Sequence, residues 1–295
     1  MSGLELTAYH YIRIVKKLLP MFTDMETYNK VDKRIHQLSQ ILAKLGRSFG
    51  QKQEDDSHTN LYFDPVSNRL MSRWVSTSNG KGCLGLNLDT YSYEWLNHTL
   101  EVVDEIGIEG KTTRQLEARV GNLLAGEGLD VSDFATALHF EIPSYSFADE
   151  PWALLDSKGV EQWKSLRSKA NEACLHATQH FLVNGEIRIW PHHFDTGIYV
   201  EVHGQLGVGF GFAMEDSLAG SPYFYLTGYP ATGTLDFESA AQPGVGKWLV
   251  SEYWQGAVLP ITSLEMLNDH EQRQAILTFI SEAGNVVLNA PLKEV

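Results

Sequence analysis

Along most of the chain the apolar positions recur either every three to four residues or every second residue, and the two periods alternate in blocks. Leu4 to Phe22 and Tyr28 to Phe49 carry the helical period. In the second block Val31, Ile35, Leu38, Ile41, Leu42 and Leu45 form one stripe, and Thr23-Asp24-Met25-Glu26 resembles a cap. After a polar break at Gln51 to Ser57 the period falls to two. Thr59 to Phe63, Arg69 to Ser76, Cys83 to Asp89, Tyr91 to Trp95 and Thr99 to Ile108 read as an antiparallel meander, punctuated by Asp64-Pro65, Asn79-Gly80 and Asn97-His98. Thr112 to Ala125 returns to helix, with Gly126 and Gly128 as stop signals, and Ala137 to Ile142 reads as a strand ended by Pro143.

Ser157 to Val183 is the longest helical block. Strands follow over Ile187 to Val202, Leu206 to Met214 and Tyr223 to Thr227, then Lys247 to Val250 and Gly256 to Pro260, before a closing helix around His270 to Glu282. The pattern predicts an α+β fold with antiparallel β-sheet covered by helices. It also divides at about residue 156. Residues 1–156 and 157–295 each run from a helix into three strands at similar spacing, which fits either two pseudo-repeated halves or reuse of such a unit without duplication.

Composition narrows the function classes. A hydrophobic fraction of 43% with 20% charged residues is that of a folded globular chain. The formal net charge of −14 opposes a nucleic-acid partner, which needs cations to neutralise phosphates, and opposes an anionic membrane surface as well. The two cysteines, Cys83 and Cys174, have no paired spacing and build neither a disulfide framework nor a zinc ribbon. With no membrane-length apolar run and no basic leader, a cytoplasmic protein is expected. His10 and His36 are expected to play structural or solvent-facing roles on their helices.

Candidate chemistry concentrates in Trp190-Pro191-His192-His193-Phe194-Asp195. Taken as one strand through Val202, the hexapeptide sends its even positions, His192 among them, to the core. Its odd positions, His193, Asp195 and Tyr199, go to the other face. The two imidazoles then diverge. A His193/Asp195 pair suits a carboxylate-oriented imidazole or two ligands of a divalent ion. Glu215, Asp216 and His58 are the candidates to complete such a metal set, with turn solvation the plainer role of the two acids. The next strand, Gly207-Val208-Gly209-Phe210-Gly211-Phe212, is not a dinucleotide fingerprint, because its glycines alternate and no helix follows. Alternate glycines instead leave one face bare for a ring, a backbone or a ligand. Tyr223 and Tyr225 share a face of the following strand, and with Tyr199, Trp248 and Trp254 they suggest an aromatic-lined cavity or, equally, plain core. Zincin, serine-hydrolase, P-loop and thiol-redox signatures are all missing, and no nucleotide cofactor is implied.

The order Ile189 to Asp195, then the glycine strand ending in acids, then Pro222-Tyr223-Phe224-Tyr225, then Trp254-Gln255-Gly256-Ala257-Val258-Leu259-Pro260, resembles bacterial proteins grouped as a domain of unknown function. The likeness covers mainly Glu186 to Ala283, with a weaker echo from His58 to Trp95. Met214-Glu215-Asp216 departs from the Pro-Gly-Asp turn of that family. The resemblance implies a bacterial α+β protein and brings no activity.

Three functional readings stand side by side. The first is a small-molecule pocket over the glycine strand, formed by His193, Asp195, Tyr199, Gly207, Gly209, Gly211, Tyr223, Tyr225 and Trp254. The second is a metal-dependent hydrolase in which His193 and Asp195 with Glu215, Asp216 or His58 activate water. The third is a structural or partner-binding subunit.

Overall fold

The computed structural model describes residues 24–290 and the backbone of 292–293; the expected helix over residues 4–22, with His10, lies outside the described residues. The fold is α+β, with four helices and two antiparallel six-stranded sheets among the described residues. Helix α1 (Met25–Phe49) starts where the cap was expected, with the Asp24 carboxylate accepting from the Thr27 N–H, and buries the stripe from Val31 to Leu45. Helix α2 (Thr113–Gly126) opens with a reciprocal capping box between Thr112 and Gln115. Helix α3 (Ser157–Phe181), capped by Asp156, packs along α1, and α4 (Asp269–Asn289) packs on α3. No described helix is long and apolar enough to cross a membrane.

The first sheet holds β1 (Tyr62–Asp64), β2 (Arg69–Met71), β4 (Gly80–Asn87), β5 (Ser92–Asn97) and β6 (Val102–Gly107) in that order, with β3 (Val75–Thr77) also paired to β4. In the second, β7 (Arg188–Trp190), β8 (Asp195–Val202), β9 (Leu206–Ala213) and β10 (Tyr223–Pro230) lead to β13 (Gln255–Pro260) and the edge strand β12 (Lys247–Val250). A small ribbon pairs β11 (Thr234–Leu235) with β14 (Leu292–Lys293).

Both sheets are built to one register. Met71 faces Gly85, which faces Glu94; in the same places Gly197 faces Gly211, which faces Tyr225. The turn into β2 is Asp64-Pro65-Val66-Ser67-Asn68, ending left-handed at Asn68 (φ 54°). The turn into β8 is Trp190-Pro191-His192-His193-Phe194, ending left-handed at Phe194 (φ 55°). Leu61 and Ile189 exchange two backbone hydrogen bonds (2.9 and 2.6 Å) as an antiparallel pair, so the sheets meet edge to edge. The halves on either side of residue 156 share one hydrophobic core.

That core lies between the helices and one face of each sheet. Phe210, Phe212 and Phe224 are fully buried there, each contributing ~1.5–3 kcal/mol. A deep ion pair joins α3 to α1: Arg167 donates to Asp32 at 2.9 Å and to Thr196 Oγ1 at 2.9 Å, and the Trp163 indole N–H donates to the same Asp32 oxygen at 2.7 Å. These contacts dock α3 against β8 and β9. Two expectations fail here. Residues 137–142 form no strand, and 190–202 is not one strand, because residues 191–194 turn.

Candidate functional site

The turn before β8 sets the geometry of the site. Pro191 fixes its first φ, and the Phe194 N–H closes it on the Trp190 carbonyl at 2.6 Å. The side-chain alternation assumed for a strand therefore does not hold between His192 and His193. Their rings lie together instead, centroids 4.3 Å apart, which overturns the expected divergence. His192 is half-buried rather than in the core, and His193 is exposed at the rim. Burial, and then the neighbouring imidazole, push the His192 pKa down to about 4.

His36, expected to play a structural or solvent-facing role, takes the structural one: it is buried and pins this turn to α1. Its Nε2–H donates to the Pro191 carbonyl at 2.8 Å, Nδ1 accepts from the Tyr145 hydroxyl at 2.8 Å, and the ring stacks on Phe194 at 4.9 Å. Burial drives its pKa to about 4, so it serves as a neutral donor and acceptor.

The strand period begins at Asp195. This side chain sits on the open face of β8 and is only 7% exposed. One carboxylate oxygen, Oδ2, accepts from the Tyr225 hydroxyl; the other, Oδ1, is buried with no hydrogen-bond partner among the described residues. Burial raises the Asp195 pKa, against the opposing pull of the Tyr225 bond, His193 and Arg167. In the first sheet the matching positions hold Arg69 and Glu94, which satisfy each other at 2.5 Å, and Asn87 donates to Glu94 as well. That face is further filled by Tyr62, Met71, Cys83 and Leu96. The second sheet has no such plug.

Its glycines explain the difference. Val208, Phe210 and Phe212 enter the core, and tyrosine rings from neighbouring strands occupy the bare face of β9, as the alternation anticipated. A Cβ on Gly211 would meet the Thr196 carbonyl and the Tyr225 hydroxyl, each at 2.7 Å. A Cβ on Gly207 would run into the Tyr199 phenol. Gly209 is buried but reaches the cleft, and a Cβ there would make ordinary contacts with Tyr229, Thr227 and Tyr225 at 3.4, 3.6 and 3.9 Å.

A cleft of about 1470 Å³ lies over this floor. Tyr199, Tyr225, Tyr229, Trp190 and Trp254 wall it, the 140–145 and 214–218 loops close its sides, and the 251–254 turn overhangs it. Of the residues expected from the sequence, His193, Asp195, Tyr199, Gly209, Tyr223, Tyr225 and Trp254 line the cleft. Gly207 and Gly211 instead lie beneath the rings they admit. Trp248 takes the core alternative. It is on the core side, stacked on Phe237 at 4.8 Å, with its N–H on the Ala241 carbonyl. Tyr229, Trp190, Lys33 and Tyr145 were missed. Tyr229 continues the face of Tyr223 and Tyr225 and was recoverable from the alternation, whereas Lys33 and Tyr145 arrive through long-range packing.

The metal set is not brought together. Glu215 lines the cleft but bonds Asn29 and pairs with Lys33 at 3.6 Å. Asp216 accepts from the Leu218 N–H and the Tyr223 hydroxyl, both at 2.8 Å. His58 is buried away from the cleft, its Nδ1 accepting from the Gln53 N–H at 3.3 Å. Among the described residues no group of three or more His, Cys, Asp or Glu is placed to hold an ion. The two cysteines are free and buried. Burial pushes the Cys83 thiol up to about 12 and the Cys174 thiol higher still, which leaves both unreactive.

Compared with protein-family models, curated proteins and solved structures, the chain matches none.

Proposed function

We propose that this chain is a soluble, cytoplasmic small-molecule-binding protein whose ligand lies flat on the Gly209 backbone between the Tyr225 and Tyr229 rings. The observation that carries the reading is the floor itself. Gly209 is the one glycine of β9 that lines the cleft, and the nearest side chains, Tyr229, Thr227 and Tyr225, stand 3.4, 3.6 and 3.9 Å from its Cβ position. A flat apolar body set there would gain ring contact on both flanks and lose water from the glycine backbone. The cleft volume of about 1470 Å³ exceeds the ~300–1,000 Å³ of drug-sized sites, so a ligand would share it with ordered water.

Metal-assisted hydrolysis has less behind it, since Glu215, Asp216 and His58 are committed to other partners. Binding of small aromatic compounds, followed by ligand-observed NMR against wild type and Gly209→Val, tests the proposal. Signals that weaken with wild type and recover with a folded Gly209→Val support it; compounds that bind both proteins alike, or neither, overturn it.

A further inference from the structure

We infer that the ligand of this cleft carries a protonated amine, which donates to Asp195 Oδ1 while its apolar body rests against the Tyr225 and Tyr229 rings. The inference rests on the cleft being a binding site, and it names the chemistry the site selects.

Three observations lead to it. The first is the unused acceptor. Asp195 is 93% buried by the complement of its 7% exposure, lines the cleft, and has no partner on Oδ1 among the described residues. A carboxylate oxygen withdrawn from water without a donor is costly, and a charge-assisted N–H is the group that offsets most of that cost. Tyr225 holds the carboxylate from the other side, so the acceptor is already oriented before a ligand arrives.

The second is the charge balance of the walls. Asp55, Glu141, Asp195, Glu215 and Asp216 supply five carboxylates, against the two cations Lys33 and Arg188. Both cations already have acidic partners: Lys33 has Glu215 at 3.6 Å, and Arg188 has Asp55 at 3.6 Å and Glu186 at 3.4 Å. Burial keeps His36 and His192 neutral. The cleft therefore repels phosphates and carboxylates and attracts a cation. Phenol and indole faces add to this, because their π-clouds favour positive charge at close range.

The third comes from the other half of the molecule. The positions matching Asp195 and Tyr225 are Arg69 and Glu94, where a guanidinium satisfies the carboxylate on the same face of the same register. One sheet carries its cation on the chain. The other leaves a buried acceptor without a partner in the wall of a hollow large enough to receive a cation.

The test uses 2-phenylethylammonium, tryptammonium and 4-hydroxyphenethylammonium, each paired with its neutral alcohol and its carboxylate, titrated into full-length protein by ligand-observed NMR at pH 7. The ammonium members are expected to bind, with their alcohols about tenfold weaker and their carboxylates undetected. In Asp195→Asn, which keeps the shape and the Tyr225 acceptor, the ammonium should fall to the level of the alcohol. In Tyr199→Ala, at the exposed border of the cleft, all members should weaken together with the preference for ammonium retained. Equal binding of ammonium and alcohol, unchanged in Asp195→Asn, overturns the inference and leaves the binding cleft intact. Tighter binding of the carboxylates overturns it too. No binding by any member overturns both readings.

Discussion

Asp195 and Tyr225 meet across the glycine strand, the phenol donating to one carboxylate oxygen while the other oxygen is buried with no partner among the described residues. A carboxylate kept that way is strained electrostatically, and its removal has a definite sign. Besides Tyr225, the titratable groups that act on it are His193 on the turn, Arg167 and Cys174 on α3, and Tyr223 and Tyr229 on β10. Burial outweighs them and raises the folded pKa above the usual value of 3.8. Folding thus favours the protonated form, and the stability this lends at low pH is lost as pH rises from the unfolded pKa through the folded one. Asp195→Asn, permanently neutral, is expected to melt above wild type at pH 7, with the gap closing toward pH 4. Parallel melts at the two pH values check this; a variant less stable than wild type at pH 7 contradicts it.

Arg167 and Asp32 differ from this in that each buried charge has its counter-charge, although Asp32 Oδ2, like Asp195 Oδ1, has no hydrogen-bond partner among the described residues. Removing one partner strands the other, at a loss of about 3–5 kcal/mol. Arg167→Met should show that loss in urea denaturation, and the double variant Arg167→Met/Asp32→Leu should recover a large part of it. A single-variant loss under about 1 kcal/mol would mean that water reaches the pair.

The glycines of β9 differ in what a methyl group would meet. At Gly211 it would strike a backbone carbonyl and the Tyr225 hydroxyl at 2.7 Å, whereas at Gly209 the nearest atom is 3.4 Å away and belongs to a ring at the cleft. Gly211→Ala is expected to cost about 1–3 kcal/mol and to displace Tyr225 from Asp195. Gly209→Ala should stay within about 1 kcal/mol of wild type. Chemical denaturation ranks the two, and equal effects would discount the packing account.

Phe194 adopts a left-handed backbone, a strain of about 1–3 kcal/mol for a bulky residue, while Asn68 holds the matching turn at little cost. The ring is fully buried, stacked on His36 and under the Arg167 guanidinium at 4.7 Å. Replacing it forfeits about 3–5 kcal/mol of packing, more than the strain it relieves. Phe194→Asn should therefore destabilise the protein despite its better turn propensity. A calorimetric scan with an unchanged or higher Tm would reverse that ranking.

Helices and most strands were legible because their signals are local. The stripe of α1, the Thr23 to Glu26 cap and the alternation of β9 each lie within one stretch of chain. The turn before β8 was not. His192, His193 and Phe194 are not turn formers, and Pro191 was passed over where Pro65 was read as a break. What holds the turn is His36, bonded to Pro191 from 155 residues away. The same distance in sequence hid Tyr145 and Lys33. Residues 137–142 have a strand-like composition, yet they find no sheet edge to pair with, and composition alone does not supply one. The tyrosines and Asp195 were recoverable because one face of a pleated sheet is fixed by parity. Their partners were not, since parity says nothing of what folds over that face.

The hydrogen-bonded exchange between Leu61 and Ile189 bears on how the chain can be cut. Among the described residues it seals the one border along which the two halves touch as sheet. Severed near residue 156, each fragment would lose its share of the common interior and bare a ribbon that pairs readily with its own reversed copy. Gel filtration of such fragments would find self-associated species in place of monomers.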